Sequence, residues 1–213
     1  MTDEQVEATC AEARAAGKRS VAHAHASGGA KAAIRAGCTT IEHGFLLDDE
    51  TLDLMAQRGV YFDPTFLVVH NALENQSKYL GAGNFTEEGF AYMEKSVPLV
   101  ASVLRRAIAR KIKVVLGADA DAGAHGRNAE ESILRVRDGG QKPMDAIFSA
   151  TSLGAAALHM QDRIGAIAAG FEADLIATDG NPLDDITAVR RVSFVMKSGT
   201  IYKSEPARRA IRK

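Results

Sequence analysis

Apolar positions along the first hundred residues switch repeatedly between helical and strand spacing. Val6, Cys10, Ala13 and Ala15 recur at helical intervals behind Thr2 or Asp3, either of which can cap the helix, and Gly17 stands in the stop position. Ser20-Val21-Ala22 then reads as a short strand ending at His23. A helix over about 29–36 stops at Gly37, and Thr39-Thr40-Ile41-Glu42 is the next strand, ending at His43. Asp48 caps a third helix through Leu52, Leu54 and Met55 that stops at Gly59, and Val60-Tyr61-Phe62 forms a strand before Pro64. Strands about twenty residues apart with a helix in each gap are the rhythm of a parallel βα sheet.

Residues 70–86 are polar and contain glycine, and they read as a loop. Thr86-Glu87-Glu88 opens a long helix to about Arg110, interrupted at Pro98. Lys113-Val114-Val115-Leu116 is a fourth strand that runs into Gly117-Ala118-Asp119. Helices are expected from Asn128, from Pro143 to Thr151, and through Gly154–Leu158. Thereafter the pattern becomes antiparallel: Asp174–Thr178, then Val192–Lys197, a Ser198-Gly199 turn, and Ile201-Tyr202-Lys203.

The chain of 213 residues is 46% hydrophobic and 25% charged, with a formal net charge of −1. That is a folded composition, and its neutrality argues against a nucleic-acid or anionic-membrane partner. The one basic cluster, at 208–213, reads as a solvated tail. No apolar run is long enough to span a bilayer, and the acidic start has no signal-peptide core. Cys10 and Cys38 fall inside patterned segments and read as buried thiols of a reducing cytoplasm, not as a disulfide.

Four polar groups stand at the C-terminal ends of the parallel strands or just beyond: His23, His25, His43 and Asp119. In βα architectures that end is the active face. Imidazole and carboxylate are ligands for zinc and similar divalent ions, and a catalytic ion needs them on separate rigid elements. A lone strand-end histidine is more often structural, but two at equivalent ends of successive strands favour ligation. The run 117–123, with alternating acids, suggests a calcium loop but lacks the terminal Glu and further ligands at the required spacing. His70, in the expected loop, and His159, on an expected helix, receive no role.

Val21-Ala22-His23-Ala24-His25, followed twenty positions on by Ile41-Glu42-His43-Gly44, resembles the amidohydrolase superfamily, and within it the imidazolonepropionase-like and Xaa-Pro dipeptidase (prolidase) branch. Asp63-Pro64-Thr65, Gly117-Ala118-Asp119, His125–Asn128, Ala150-Thr151 with Gly154–Leu158, and the closing Gly165–Leu175 run extend the resemblance. It implies a metal-dependent hydrolase of C–N bonds on a distorted (β/α)8 barrel. His23 and His43 map to the metal ligands of strands five and six. Asp119 maps to the strand-eight aspartate, a metal ligand that also handles the proton of the attacking water. His25 falls where a donor can stabilise the oxyanion, and His125 lines the substrate pocket. Zinc is the first expectation, with manganese or iron as alternatives.

The family also carries a first-strand His-x-His and a bridging strand-four lysine, and neither is found before His23. A full barrel needs about 250 residues. The expected fold is therefore α/β: strands five to eight of the barrel over 1–165, then a portion of the family's small β-sandwich over 166–213. Two unpaired strand edges predict a homo-oligomer, or pairing with a complementary N-terminal half, and not a stable monomer. The expected substrate is a dipeptide or cyclic amide. Two rivals stay open: an inactive barrel half serving as an oligomerising or complementing domain, and a metal-binding βα protein of unrelated function.

Overall fold

The computed structural model describes residues 1–83, 85–120 and 123–206. The basic tail at 208–213 and the second acid of the calcium-like run, Asp121, lie outside the described residues. Local chemistry sets the helix ends as the sequence predicts. Thr2 accepts from the Gln5 N–H and Gln5 answers to the Thr2 N–H, a capping box that opens α1 (Asp3–Ala15). Asp48 caps α3 (Asp49–Arg58) by accepting from Thr51, and Gly59 closes it at φ 67°, a left-handed conformation that glycine adopts without a Cβ clash. Thr86 caps α6 (Glu87–Ala109).

Strands β1 (Val21–Ala26), β2 (Thr40–Leu46) and β3 (Tyr61–Asp63) form a parallel sheet in that order, with α2 (Ser27–Arg35) and α3 between them. The expected fourth strand is reduced to a single parallel bridge, Phe62 to Val114. There Phe62 N–H donates to Lys113 at 2.9 Å and Val115 N–H donates to Phe62 at 2.9 Å. Beneath the sheet lies a core that includes Ile34, Ile41, Leu52, Met55, Phe62 and Leu104, all at most 1% exposed. The register between β1 and β2 slips after Ala24 pairs with His43, because Ala26 pairs with Leu46. The extra residue lies at Gly44-Phe45, where Gly44 has φ 59° and a Cβ would strike Leu47 and the Phe62 ring.

Four further expectations are corrected. β1 and β2 run past the ends expected at His23 and His43, to Ala26 and Leu46, because the β1–β2 pairing continues beyond them. Residues 66–79 are helical, as α4 (Phe66–Glu74) and α5 (Gln76–Tyr79), not the start of a loop. Phe66, Leu67, Val69 and Ala72 bury one face of α4, and Arg127 Nη1 donates to the Oδ1 of the buried Asn71 at 2.9 Å. His70 is thus helical, while His159 lies just past its helix at φ 55°. The long helix α6 runs through Pro98 unbroken, because Pro98 sits on its solvent face, where the carbonyl left without a donor can meet water. Cys10 and Cys38 form a disulfide: α1 packs on α2 and brings their Cα atoms to 5.4 Å, inside the bonding range.

Downstream, α7 (Ala129–Arg137), α8 (Pro143–Ala150) and α9 (Ser152–Ala157) lead into an antiparallel sheet, β4 (Leu175–Thr178), β5 (Val192–Lys197) and β6 (Thr200–Ser204). Among the described residues no helix is long and apolar enough to cross a membrane.

Candidate active site

The parallel sheet gathers three imidazoles at one place. His23 and His25 alternate on β1 and so share a face, and the His43 ring from β2 packs against both. Ring centroids are 4.3 Å apart for His23 and His43, 4.8 Å for His23 and His25, and 4.9 Å for His25 and His43. Phe45 closes the cluster 4.8 Å from His25. His43 adopts φ 68°, and its Nδ1 lies 2.7 Å from Thr65 Oγ1. Burial first, then the neighbouring His23 and His25, push the His43 pKa down to about 4 against the opposing pull of Asp119. Burial and His23 also lower that of His25, whose Nδ1 is buried without a hydrogen-bond partner. At neutral pH both rings are therefore uncharged, the form with a free nitrogen lone pair.

Asp119 follows the bridge segment at φ 43° and is within electrostatic reach of His43 and Glu42. The sheet and the bridge thus bring His23, His25, His43 and Asp119 to one end. His125 is exposed on the following loop and, among the described residues, takes part in none of the ring contacts.

Two further acids stand in this site that the sequence did not single out. Register places Glu42 opposite Asp63. Burial, with Asp63 next, pushes Glu42 up to about 8, so Glu42 keeps its proton at neutral pH. Burial also raises Asp63, opposed by Arg135, and its Oδ1 is buried without a hydrogen-bond partner. The one available signal was position: Asp63 ends β3 as His23 and His43 mark β1 and β2. Behind it Arg135, fully buried, donates to Val115 O at 2.8 Å, Gln141 Oε1 at 3.0 Å and Ser149 Oγ at 3.1 Å.

By donor type, neutral imidazoles with a spare buried nitrogen and a nearby carboxylate suit a borderline divalent ion such as zinc. By geometry the set is unfinished: among the described residues no three His, Cys, Asp or Glu side chains converge where an ion could sit.

The fold and this strand-end site define a member of the amidohydrolase family, which the chain matches over residues 1–202. It is similar to the ochratoxinase of Aspergillus niger, at 31% identity over 186 residues, covering 85% of this chain and 37% of that protein. Among solved structures it is similar to a Xaa-Pro dipeptidase with methionine bound in the active site (36% identity, TM-score 0.83, 96% of this chain and 49% of that one). A prolidase complexed with N-methylphosphonate-L-proline is also similar (29% identity, TM-score 0.87, 96% and 50%). The chain thus spans about half the length of the solved relatives and less of the curated one.

Proposed function

We propose that the chain is the part of an amidohydrolase carrying strands five to eight of a (β/α)8 barrel, with a returning β-sandwich piece in β4–β6, and that its site hydrolyses the C–N bond of dipeptides or related small amides. The observation that carries this reading is the packing of His23, His25 and His43 at one parallel-strand end, with Asp119 in electrostatic reach. The similarity to prolidases supports the substrate class.

In this reading His23 and His43 would offer two nitrogens and Asp119 an oxygen toward a divalent cation, zinc before manganese or iron, only once groups from outside this segment complete the set. Bound there, the cation supplies electrophilic activation of water and of the scissile carbonyl. Thr65 Oγ1 lies 2.7 Å from His43 Nδ1, and in the tautomer that donates Nδ1–H to it, Nε2 carries the free lone pair. The Asp119 carboxylate takes a proton from water as the oxygen attacks the carbonyl carbon, and returns it to the departing nitrogen as the C–N bond breaks. Neutral His25 has one N–H to offer the developing oxyanion. His125 belongs to the wall of the substrate pocket by its place in the loop.

The unfinished donor set favours a site completed from outside this segment. Both sheet edges are flanked by cavities. One of about 460 Å³, lined by Val21, His23 and His25, lies along β1, and another of about 500 Å³, lined by Lys113 and Phe148, lies beside the bridge segment. The occupant proposed for these edges is a complementary N-terminal barrel half. The test is metal content by elemental mass spectrometry and dipeptide hydrolysis, for this chain alone and with an N-terminal half. The expected result is a divalent ion held in proportion to protein, lost in His23→Ala and His43→Ala, and hydrolysis that appears or rises when the halves combine. No uptake of metal under either condition would leave an inactive complementing domain in its place.

A further inference from the structure

We propose that the chain closes one edge of its parallel sheet by itself, with Ser149 standing where a strand would pair with the bridge segment, so that a further strand adds only along β1. The proposal deepens the barrel-half reading and rests on it for the partner that supplies the strand. Phe62 N–H donates to Lys113 O and Val115 N–H donates to Phe62 O, so these groups of the segment face β3. Backbone direction alternates along an extended chain, which turns Val114 O and Leu116 N–H to the outer edge. One residue of a parallel neighbour would bond both, its N–H to the first and its carbonyl to the second. Ser149, in the last turn of α8, makes the same two bonds. Its hydroxyl donates to Val114 O at 2.7 Å, sharing the proton with Asp145 O at 2.8 Å, and its carbonyl accepts from Leu116 N–H at 3.3 Å.

The hydroxyl is itself held in place. It accepts from Arg135 Nη2 at 3.1 Å and from Gln141 Nε2 at 3.2 Å, and all three side chains are buried. Arg135 also serves the inner edge. The β3 side would next offer residue 64 to Val115 O, but Pro64 has no N–H to give, and Arg135 Nη1 donates there at 2.8 Å instead. A buried segment short of strand partners thus takes its bonds from α7 and α8, as buried backbone groups require. The opposite edge is different. Thr40 N–H donates to Ser20 O, so by the same alternation Ala22 faces β2 while the backbone groups of Val21 and His23 face away, where the sheet ends. Val21 and His23 are both exposed. A complementary half therefore packs beside the bridge segment without a strand ladder and pairs its strand with β1.

The test is amide hydrogen exchange by nuclear magnetic resonance on the full chain, alone and with an N-terminal half. Alone, Leu116 is expected to exchange slowly, as Val115 does through its bond to Phe62, while Val21 and His23 exchange like free amides. Ser149→Ala removes the hydroxyl that ties the end of α8 to Val114. It should speed Leu116 exchange roughly fivefold, the worth of one hydrogen bond, and leave Ala22 unchanged. Leu116 exchanging as fast as Val21, or at its wild-type rate in a folded Ser149→Ala, would overturn the proposal. If Ser149→Ala does not fold, the wild-type rates at Leu116 and Val21 decide. With the N-terminal half added, protection should rise at Val21 and His23 and stay level at Leu116; a rise at Leu116 with none at Val21 and His23 overturns the proposal. No change at any residue would mean that the half does not bind. That outcome defeats the barrel-half reading, and the rates in the chain alone still decide whether Ser149 closes the edge.

Discussion

Replacing Arg135 by Met should destabilise the protein severely, and more at alkaline than at acid pH. The side chain is fully buried, and its three donors satisfy Val115 O, Gln141 Oε1 and Ser149 Oγ. Its charge also opposes the burial of Glu131 and Asp63. Removing one partner of a buried charged set costs about 3–5 kcal/mol. For a chain of this size that corresponds to roughly 6–20 °C in Tm. The pH dependence follows from Glu131, which burial pushes up to about 7 despite Arg135 and the Leu67 N–H donor. Unfolded, the same carboxyl titrates near the ordinary value of 4.5. Between those two values the folded state holds the proton and the unfolded state has released it, so stability falls as pH rises. Without the guanidinium the folded carboxyl titrates higher still, and the penalty keeps growing above neutrality. Urea denaturation followed by circular dichroism at pH 5 and pH 8 measures both effects. A loss under about 1 kcal/mol at pH 8, or equal losses at the two pH values, would refute the buried-countercharge account.

Glu131→Gln should flatten the stability profile between pH 5 and 7.5, since the amide oxygen can still accept from Leu67 N–H, bonded at 2.7 Å in the wild type. At pH 8 the variant should gain up to about 3 kcal/mol over wild type if burial of the charge dominates, which denaturant melts at several pH values would show. Cys10→Ser opens a disulfide between residues 28 apart in sequence. It should cost about 3–4 kcal/mol in the oxidised protein and almost nothing against wild type treated with a reductant, as read by paired thermal melts.

Helix ends were legible in the sequence because their chemistry is local: Thr2, Asp48 and Thr86 each accept an N–H three residues on, whatever the tertiary fold. The histidines were legible for a similar reason, since a short β-rich run reaching a histidine marks the residue without any knowledge of packing, although β1 and β2 run on past His23 and His43 to Ala26 and Leu46. The first turns of α4 were hidden because Pro64 reads as a stop and the polar residues after Val69 read as a loop. Only the burial of Phe66, Leu67 and Ala72 under α6 decides for a helix. Glu131 and Arg135 were hidden differently. Their spacing on α7 is that of an ordinary surface ion pair, and nothing local says that both are sealed inside. Glu42 and Asp63 meet only through the β2–β3 register. The cysteines were misread because a disulfide depends on how α1 packs on α2, which no pattern within either segment states.

The backbone links what was legible to what was hidden. Three residues of the site region that are not glycine take positive φ: His43 at 68°, Thr65 at 46° and Asp119 at 43°. For such residues each of these conformations costs on the order of 1–3 kcal/mol and persists only where surrounding contacts over-determine it. The contacts are of the kind sequence patterns do not display. The extra residue at Gly44 lets β2 turn at His43, the Thr65 hydroxyl meets the His43 ring, the Asp63 carboxylate packs against Gly117, and Arg135 holds the Val115 carbonyl just upstream of it. A fold that needed only to bury its core could end these strands in relaxed conformations. Holding three costly ones in one region is the arrangement expected when the position of an imidazole and a carboxylate matters more than the stability lost in fixing them.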